Sequence, residues 1–439
     1  MRVSNKDLFV VEGLAGEKKL EGTIAVAGAK NEVLKVMAAS AIFADDVFIE
    51  NVPEIEDVAR MCELLEDLGA TVEKTGAHAL RINTAALSGT ELTSDIAKRM
   101  RASVVLTGPL LARFGKVSFP HPGGCVIGTR PIDVFLESFE KLGATITTTD
   151  TSYEISAPQK LRGADIFMKV ASVTATETLM IAATLATGTT MLKNAAVEPE
   201  IVHLAEFLNR SGARISGAGT HTITIEGTAE LLRAGGTPHT VVPDRIETAS
   251  FMMLGALAAH DLRIERCNPA HVEIVTALLR DAGVPITLEK DAIVISGNTK
   301  PNSSFTSFNV RTHEYPGLAT DVQSPLVVFL TQSSGESIVF ETIFENRLGW
   351  TQDLVRMGAH ITMMNPQQII VKGPTPLRGR EVEGPDLRAG LAFILAAIVA
   401  QGTSRIRNAY FIDRGYEHIE TRLSNIGVSI TRAPEILAE

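Results

Sequence analysis

The stretch LLEDLGATV, residues 64–72, reads as the last turns of a helix, a glycine stop and the opening of a strand. Glycine takes the left-handed conformation that ends a helix, so Gly69 is a credible C-terminal stop. The figure returns five times: SFEKLGATI (138–146), FLNRSGARI (207–215), LLRDAGVPI (278–286), LVRMGAHI (354–361) and RLSNIGVSI (422–430). The stop glycines are 69, 143, 212, 283, 358 and 427, a period of 69 to 75 residues. A fixed period of this kind marks a chain built from copies of one supersecondary unit.

A second and more apolar helix precedes each stop. Its copies start near GAKNEVLKVMAAS (28–40), RMRASVVLTGPLLA (99–112), ASVTATETLMIAATLA (171–186), PDRIETASFMMLGALAA (243–259), ATDVQSPLVVFL (319–330) and PDLRAGLAFILAAIVA (385–400). Apolar on almost every side, each predicts a core helix rather than a surface one. Between the two helices of a unit runs a β-rich stretch such as GTTMLKNA or GESIVFET. The expectation is an α/β protein of six repeats of about 70 residues. They group as two domains of three, sheets outside and apolar helices inside; repetition alone also allows three pairs.

Composition bounds the function. With 439 residues, 45% of them hydrophobic, the chain has ample material for buried cores. Three cysteines argue against a disulfide framework and fit a reducing cytoplasm. The start, MRVSNKDLFVVEG, has no apolar run of a signal peptide, and no segment reaches the roughly 18 to 20 apolar residues that span a bilayer. A formal charge of -10 speaks against nucleic acid as a partner. No P-loop or dinucleotide fingerprint is present, and the ten histidines are scattered, so neither a cofactor nor a metal is expected.

Repetition makes positions comparable. The starts of the apolar helices carry Lys30 with Asn31, Arg101, Ser172, Asp244 with Arg245, Asp321, and Asp386 with Arg388. For Ser172, Asp244, Asp321 and Asp386, helix capping is the plain explanation. It does not cover Lys30, Arg101 or Arg388, because a cation there opposes the helix dipole unless an anion sits between. The stretches leading into the second helices add Cys125 with Arg130, in FPHPGGCVIGTRPIDVF (119–135), then Arg347 and Arg414. Such a set of cations suits a ligand with several anionic groups, since arginine holds phosphate and carboxylate in a bidentate way.

At these residues the chain resembles the enolpyruvyl transferases. The matching segments are GAKN, MRAS, GPLLARFG, PGGCVIGTRPID, SVTAT, NAAVEPEIV, ISGAGTHTITIEG, TDVQ, ETIFENR, MGAH, DLRA and IDRGYEHIE, in family order over nearly the whole chain. The resemblance implies a two-domain inside-out α/β barrel: residues 22–239 with the cysteine loop, and 1–21 plus 240–439. It further implies transfer of enolpyruvate from phosphoenolpyruvate to the 3'-hydroxyl of UDP-N-acetylglucosamine with release of phosphate, the committed step toward peptidoglycan. The sister family of 5-enolpyruvylshikimate-3-phosphate synthases is not expected to carry the cysteine loop or ETIFENR.

The same resemblance implies roles. Cys125 matches the proton donor, which can also form a covalent adduct and is the target of fosfomycin; the thiol serves the first role and the thiolate the second. Lys30, Arg130 and Arg414 match residues that hold phosphate and carboxylate, with Arg347 and Arg388 nearby and Asp386 at the same helix start. Asp321 matches the carboxylate that receives the sugar's hydroxyl proton. Asn31, Arg101, the run Arg130, Pro131, Ile132, Asp133 and Val134, the run Val170, Ala171, Ser172 and Val173, and Ile343 match positions contacting the UDP-sugar. Departures are Glu32 and Lys35, where the family usually has alanine and proline, Thr174 for glycine, and Leu318 and Ala319 for phenylalanine and proline. Glu32 would sit beside Lys30, either weakening its hold on phosphate or facing solvent. The alternatives are transfer to another acceptor and a non-catalytic UDP-sugar-binding paralogue; intact Lys30, Cys125, Arg130, Asp321 and Arg414 weigh against the latter.

Asp321→Asn separates the two readings of that residue. If Asp321 only caps its helix, stability changes by a few tenths of a kcal/mol, roughly what one good cap replaced by another costs, and turnover survives. If it is a general base, turnover falls about 10²- to 10⁴-fold.

Overall fold

The computed structural model describes residues 7–92, 96–97, 100–121, 128, 132–296 and 305–435. The chain divides into two compact units. One takes in the N-terminal segment up to Ala27 and the chain from Pro243 onward; the other is built within Gly28–Val242. Strand pairing explains where the chain passes between them. The strand Leu20–Ala25 runs parallel to Ala259–Glu265 and so belongs with the later half, which moves the first crossing from residue 22 to Gly28. His239–Thr240 pairs with Val47–Glu50, which carries the second crossing past residue 240, to Pro243.

Six sheets are present among the described residues, three in each unit. One shows the plan. Thr189–Lys193 pairs antiparallel with Thr222–Glu226, which pairs antiparallel with Arg214–Ser216, while Asp165–Phe167 joins the far edge in parallel. Three other sheets repeat this order, built on Val47–Glu50, Ala259–Glu265 and Gly335–Phe340. The sheet of Lys116–Pro120, Ser152–Ser156 and Thr145–Thr148 has three strands, with a single parallel bridge from Glu91 to Ser118 at the fourth place. The last sheet is built differently. Asp7–Glu12 stands between Thr403–Arg407 and Ser429–Pro434, antiparallel to both. The first strand of the chain thus fills the place that the hairpin's second strand fills elsewhere, and completes the sixth repeat.

All six stop glycines have positive φ, between 93° and 111°. The helices they end are amphipathic: Glu56–Asp67 buries Val58, Met61, Leu64 and Leu65 on one stripe. The other set is buried all round. Arg245–Ala258, Thr320–Thr331 and Leu387–Val399 pack on one another at the centre of their unit. In the other unit Val173–Thr184 packs on both Thr107–Phe114 and Lys30–Ala39. There a Cβ on Gly108 would lie 2.5 Å from the Thr178 carbonyl oxygen, so only glycine lets those two helices meet. Among the described residues no helix is long and apolar enough to cross a membrane.

Phe393, fully buried in Leu387–Val399, meets Trp350 edge-on with ring centroids 5.4 Å apart. Phe393→Ala is expected to cost about 3 to 5 kcal/mol, the usual range for emptying such a site. Trp350 is the sole tryptophan, so its fluorescence during urea unfolding reads the loss directly. A loss below about 1 kcal/mol would mean the ring does not fill the core.

Candidate active site

In the unit spanning Gly28–Val242, Lys30 is the first residue of the helix Lys30–Ala39, whose N-cap Ala29 offers no side chain to the exposed amides. The Lys30 ammonium lies 2.6 Å from Asp57 Oδ2, and both side chains are nearly buried. The anion that a cation at this place requires is thus supplied, in this structure, by the protein. Asp57 lies in ENVPEIEDV, which leads into the helix Glu56–Asp67, and nothing local in that stretch marks it as the partner of Lys30.

Glu32 corrects the expectation. It neither faces solvent nor competes for Lys30; it is fully buried, with Oε1 2.7 Å from His239 Nε2 and Oε2 accepting the Val242 N–H at 2.7 Å. Lys35 turns inward too. Its Nζ donates to the Asn31 carbonyl at 2.5 Å and stands 3.1 Å from Glu177 Oε2. No well-aligned hydrogen bond reaches either Glu177 oxygen. Burial pushes the Glu177 carboxyl up to about 8; Lys35 opposes the shift, and Glu200 and Glu198 add to it. Ser172 caps Val173–Thr184, accepting the Ala175 N–H at 3.3 Å, with Ala171, Val173 and Thr174 part-exposed beside it and Val170 exposed. Arg101 opens the 3₁₀ turn Arg101–Leu106 and is partly exposed. Asp133 begins Asp133–Lys141 on the surface, Val134 is half-buried and Ile132 lies in the core. Cys125, Arg130 and Pro131 fall outside the described residues.

In the other unit the starts of the three core helices converge. Asp244 and Asp386 are N-caps as expected: Asp244 accepts the N–H groups of Ile246 and Glu247, and Asp386 those of Arg388 and Ala389. Asp321 is not a cap. The N-cap of its helix is Ala319, and the Asp321 carboxylate lies between two guanidinium groups: Arg347 is 2.8 Å from Oδ1 and Arg388 is 3.0 Å from Oδ2. Both arginines are buried, whereas 28% of the Asp321 side chain is exposed. Asn in place of Asp321 would therefore leave two buried cations facing a neutral group. The cost rises above the cap value, to at least about 1 kcal/mol.

Behind this clamp the polar groups form a chain. Arg388 donates to the Tyr416 hydroxyl at 2.9 Å, and Arg347 to Thr320 Oγ1 at 3.0 Å. Thr320 in turn donates to Glu341, whose buried carboxylate also accepts the backbone N–H groups of Ile343 and Phe344. Burial works against the Arg388 charge, but Tyr416 and Asp321 outweigh it and hold its pKa above the ordinary value. Ile343 is thereby fixed in the segment that Glu341 organises. Arg414 ends the short helix Ala409–Asp413, partly exposed. Glu341 and Tyr416 were not picked out in the sequence, although both lie inside matching segments; what identifies them is their partners.

The family described as EPSP synthase (3-phosphoshikimate 1-carboxyvinyltransferase) matches residues 14–423. The chain belongs to the enolpyruvyl transferases. It is 43% identical to UDP-N-acetylglucosamine 1-carboxyvinyltransferase 1 of Symbiobacterium thermophilum over 95% of this chain and 94% of that protein. To the UDP-N-acetylglucosamine 1-carboxyvinyltransferase of Desulfatibacillum aliphaticivorans it is 42% identical over 97% and 99%. Among solved structures, the enolpyruvyl transferase NikO from Streptomyces tendae superposes with a TM-score of 0.86 at 26% identity, covering 98% of this chain and 99% of that one. EPSP synthase from Acinetobacter baumannii, at 20% identity and a TM-score of 0.73 over 97% and 100%, shares the fold.

Glu177 gives this enolpyruvyl transferase a pH signature. Its carboxyl is near 4.5 when unfolded and about 8 when folded, burial being the main cause. The unfolded chain therefore loses this proton first as pH rises. The group's contribution to stability is complete below about pH 4.5 and is lost as pH climbs through about 8. In Glu177→Gln that loss is absent, so its melting temperature relative to wild type should rise steadily from about pH 5 to about pH 8. A difference that stays constant with pH would show that the carboxyl does not titrate in this window.

Proposed function

We propose that the chain transfers the enolpyruvyl group of phosphoenolpyruvate to the 3'-hydroxyl of UDP-N-acetylglucosamine, releasing phosphate. The observation that carries this is full-length identity above 40% with proteins of that activity. The cysteine segment PGGCVIGTRPID and ETIFENR are present as well, the two segments not expected of the shikimate enzymes.

The chemistry is an addition followed by an elimination. A proton delivered to the methylene carbon of phosphoenolpyruvate makes its central carbon electrophilic. The sugar hydroxyl adds there and gives up its proton. Loss of phosphate and of one methyl proton then restores the double bond. Cys125 is the residue that delivers the first proton, and Asp321 the one that takes the hydroxyl proton. The geometry supports Asp321: both carboxylate oxygens are held by guanidinium groups, yet the side chain still reaches solvent. Fixing a base by its back lone pairs orients the remaining ones toward substrate at no cost during reaction. Lys30, Arg130 and Arg414 serve the phosphate and carboxylate, and Arg347, Arg388 and Asp386 are further substrate-binding residues. Asn31, Arg101, residues 130–134, residues 170–173 and Ile343 are the residues assigned to contact the sugar nucleotide. The small number of cysteines fits a reducing compartment and supports a cytoplasmic location.

Purified protein should release phosphate from phosphoenolpyruvate with UDP-N-acetylglucosamine and not with shikimate 3-phosphate. Release with shikimate 3-phosphate alone would refute the acceptor, and release with neither would refute the activity. With UDP-N-acetylglucosamine present, fosfomycin should add one adduct at Cys125, seen by mass spectrometry. Cys125→Asp should abolish labelling and keep turnover, because a carboxyl can deliver a proton, whereas Cys125→Ser should lose both. Labelling at Cys62 or Cys267 would overturn the assignment; burial raises the pKa of both thiols, to about 12 and about 11.

A further inference from the structure

We propose that Glu32 and His239 are positioning residues that set the orientation of Lys30 and thereby the affinity for phosphoenolpyruvate. The inference rests on the proposed function only in placing Lys30 against that substrate.

The first turn of Lys30–Ala39 is held at two points of a single residue. The Ala29 N–H donates to the Val242 carbonyl at 2.7 Å, and the Val242 N–H donates to Glu32 Oε2 at 2.7 Å. Val242 is the last residue of this unit before the chain leaves it. The other oxygen of Glu32 meets His239 Nε2 at 2.7 Å, and Arg210 is 2.9 Å from His239 Nδ1. A guanidinium can only donate, so Nδ1 accepts and Nε2 carries the hydrogen toward Glu32. Phe207 packs on the imidazole at 4.8 Å and stacks on Phe43. Glu32 and His239 are both buried.

Residues two apart on an α-helix point about 200° away from each other. Glu32 therefore anchors the rear of the turn while Lys30 projects from the front toward Asp57. With its N–H partner and its imidazole both fixed, the turn cannot rotate without breaking two buried hydrogen bonds. The Glu32 carboxylate also lies in the first turn, where negative charge is favourable, and offsets the unfavourable cation at Lys30. Neither Glu32 nor His239 needs to touch substrate for this.

The test compares His239→Ala, His239→Gln and Glu32→Ala with wild type. His239→Ala and Glu32→Ala should raise the KM for phosphoenolpyruvate about tenfold or more while kcat falls less, since a small misplacement of a binding group weakens ground and transition states together. His239→Gln can still donate to Glu32 and accept from Arg210, so its KM should stay within about twofold of wild type. A purely structural role would lower the melting temperature of the alanine variants and leave KM unchanged in the folded fraction. Should Glu32→Ala fail to fold, the His239 pair carries the test. His239→Ala with wild-type KM, or His239→Gln as impaired as His239→Ala, overturns the proposal. Calorimetry with phosphoenolpyruvate and UDP-N-acetylglucosamine separates the two readings. A wild type that binds phosphoenolpyruvate without turnover refutes the activity and leaves the affinity comparison intact. A wild type that does not bind it refutes both.

Discussion

A helix that is apolar on every side has only its ends for polar chemistry. Each unit of this chain places three such helices at its centre and spreads its sheets outside them. Middles such as SFMMLGALA and GLAFILAAIV can hold no functional group that water must reach. Among the described residues, Lys30, Ser172, Asp244, Asp321 and Asp386 accordingly stand at or within two residues of the helix starts. The positive end of the dipole is there, which draws anions, and so is the chain's supply of carboxylate caps.

Polar groups buried around these helices are paired, at the helix starts and, for Lys35 and Glu177, within the helices themselves. Lys30 meets Asp57, Lys35 meets Glu177, Glu32 meets His239, and Arg347 with Arg388 hold Asp321. Breaking a buried pair by removing one partner costs far more than the pair itself contributes, so these groups behave as sets rather than as individuals. The consequence for function is pre-organisation. Asp321 is the member of its set that solvent still reaches, because its two partners and the Tyr416 hydroxyl behind them are buried. Glu341 does the same for backbone, taking two N–H groups and a hydroxyl into one carboxylate and so fixing the segment that carries Ile343.

The six-fold repeat was legible because its signals are local. A stop glycine needs only its own φ, and all six positions adopt the left-handed conformation. The apolar helices announced themselves by composition, and their burial follows. Less legible was how the sixth repeat is completed. No local signal says that Asp7–Glu12 will take the hairpin place beside Thr403–Arg407, nearly four hundred residues away. The small shift of both crossings, to Gly28 and Pro243, has the same origin, since a strand belongs to whichever sheet completes its hydrogen bonds.

The sequence alone determined the residue types at each helix start and their order along the chain, and with them the family. It could not assign partners. Asp244, Asp321 and Asp386 look alike in sequence, each at the start of an apolar helix, and two of them are caps. Asp321 departs because its carboxylate sits two residues past the N-cap Ala319, where it can turn from the amides toward Arg347, later in the same repeat, and Arg388, at the helix start of the next. Glu32 is the other case: beside Lys30 in sequence, yet turned by helix geometry to the opposite side and toward His239, 207 positions later. Charge and propensity are properties of a residue and are written in the chain. A hydrogen-bond partner is a property of two residues brought together by the packing of others, and only the folded structure decides it.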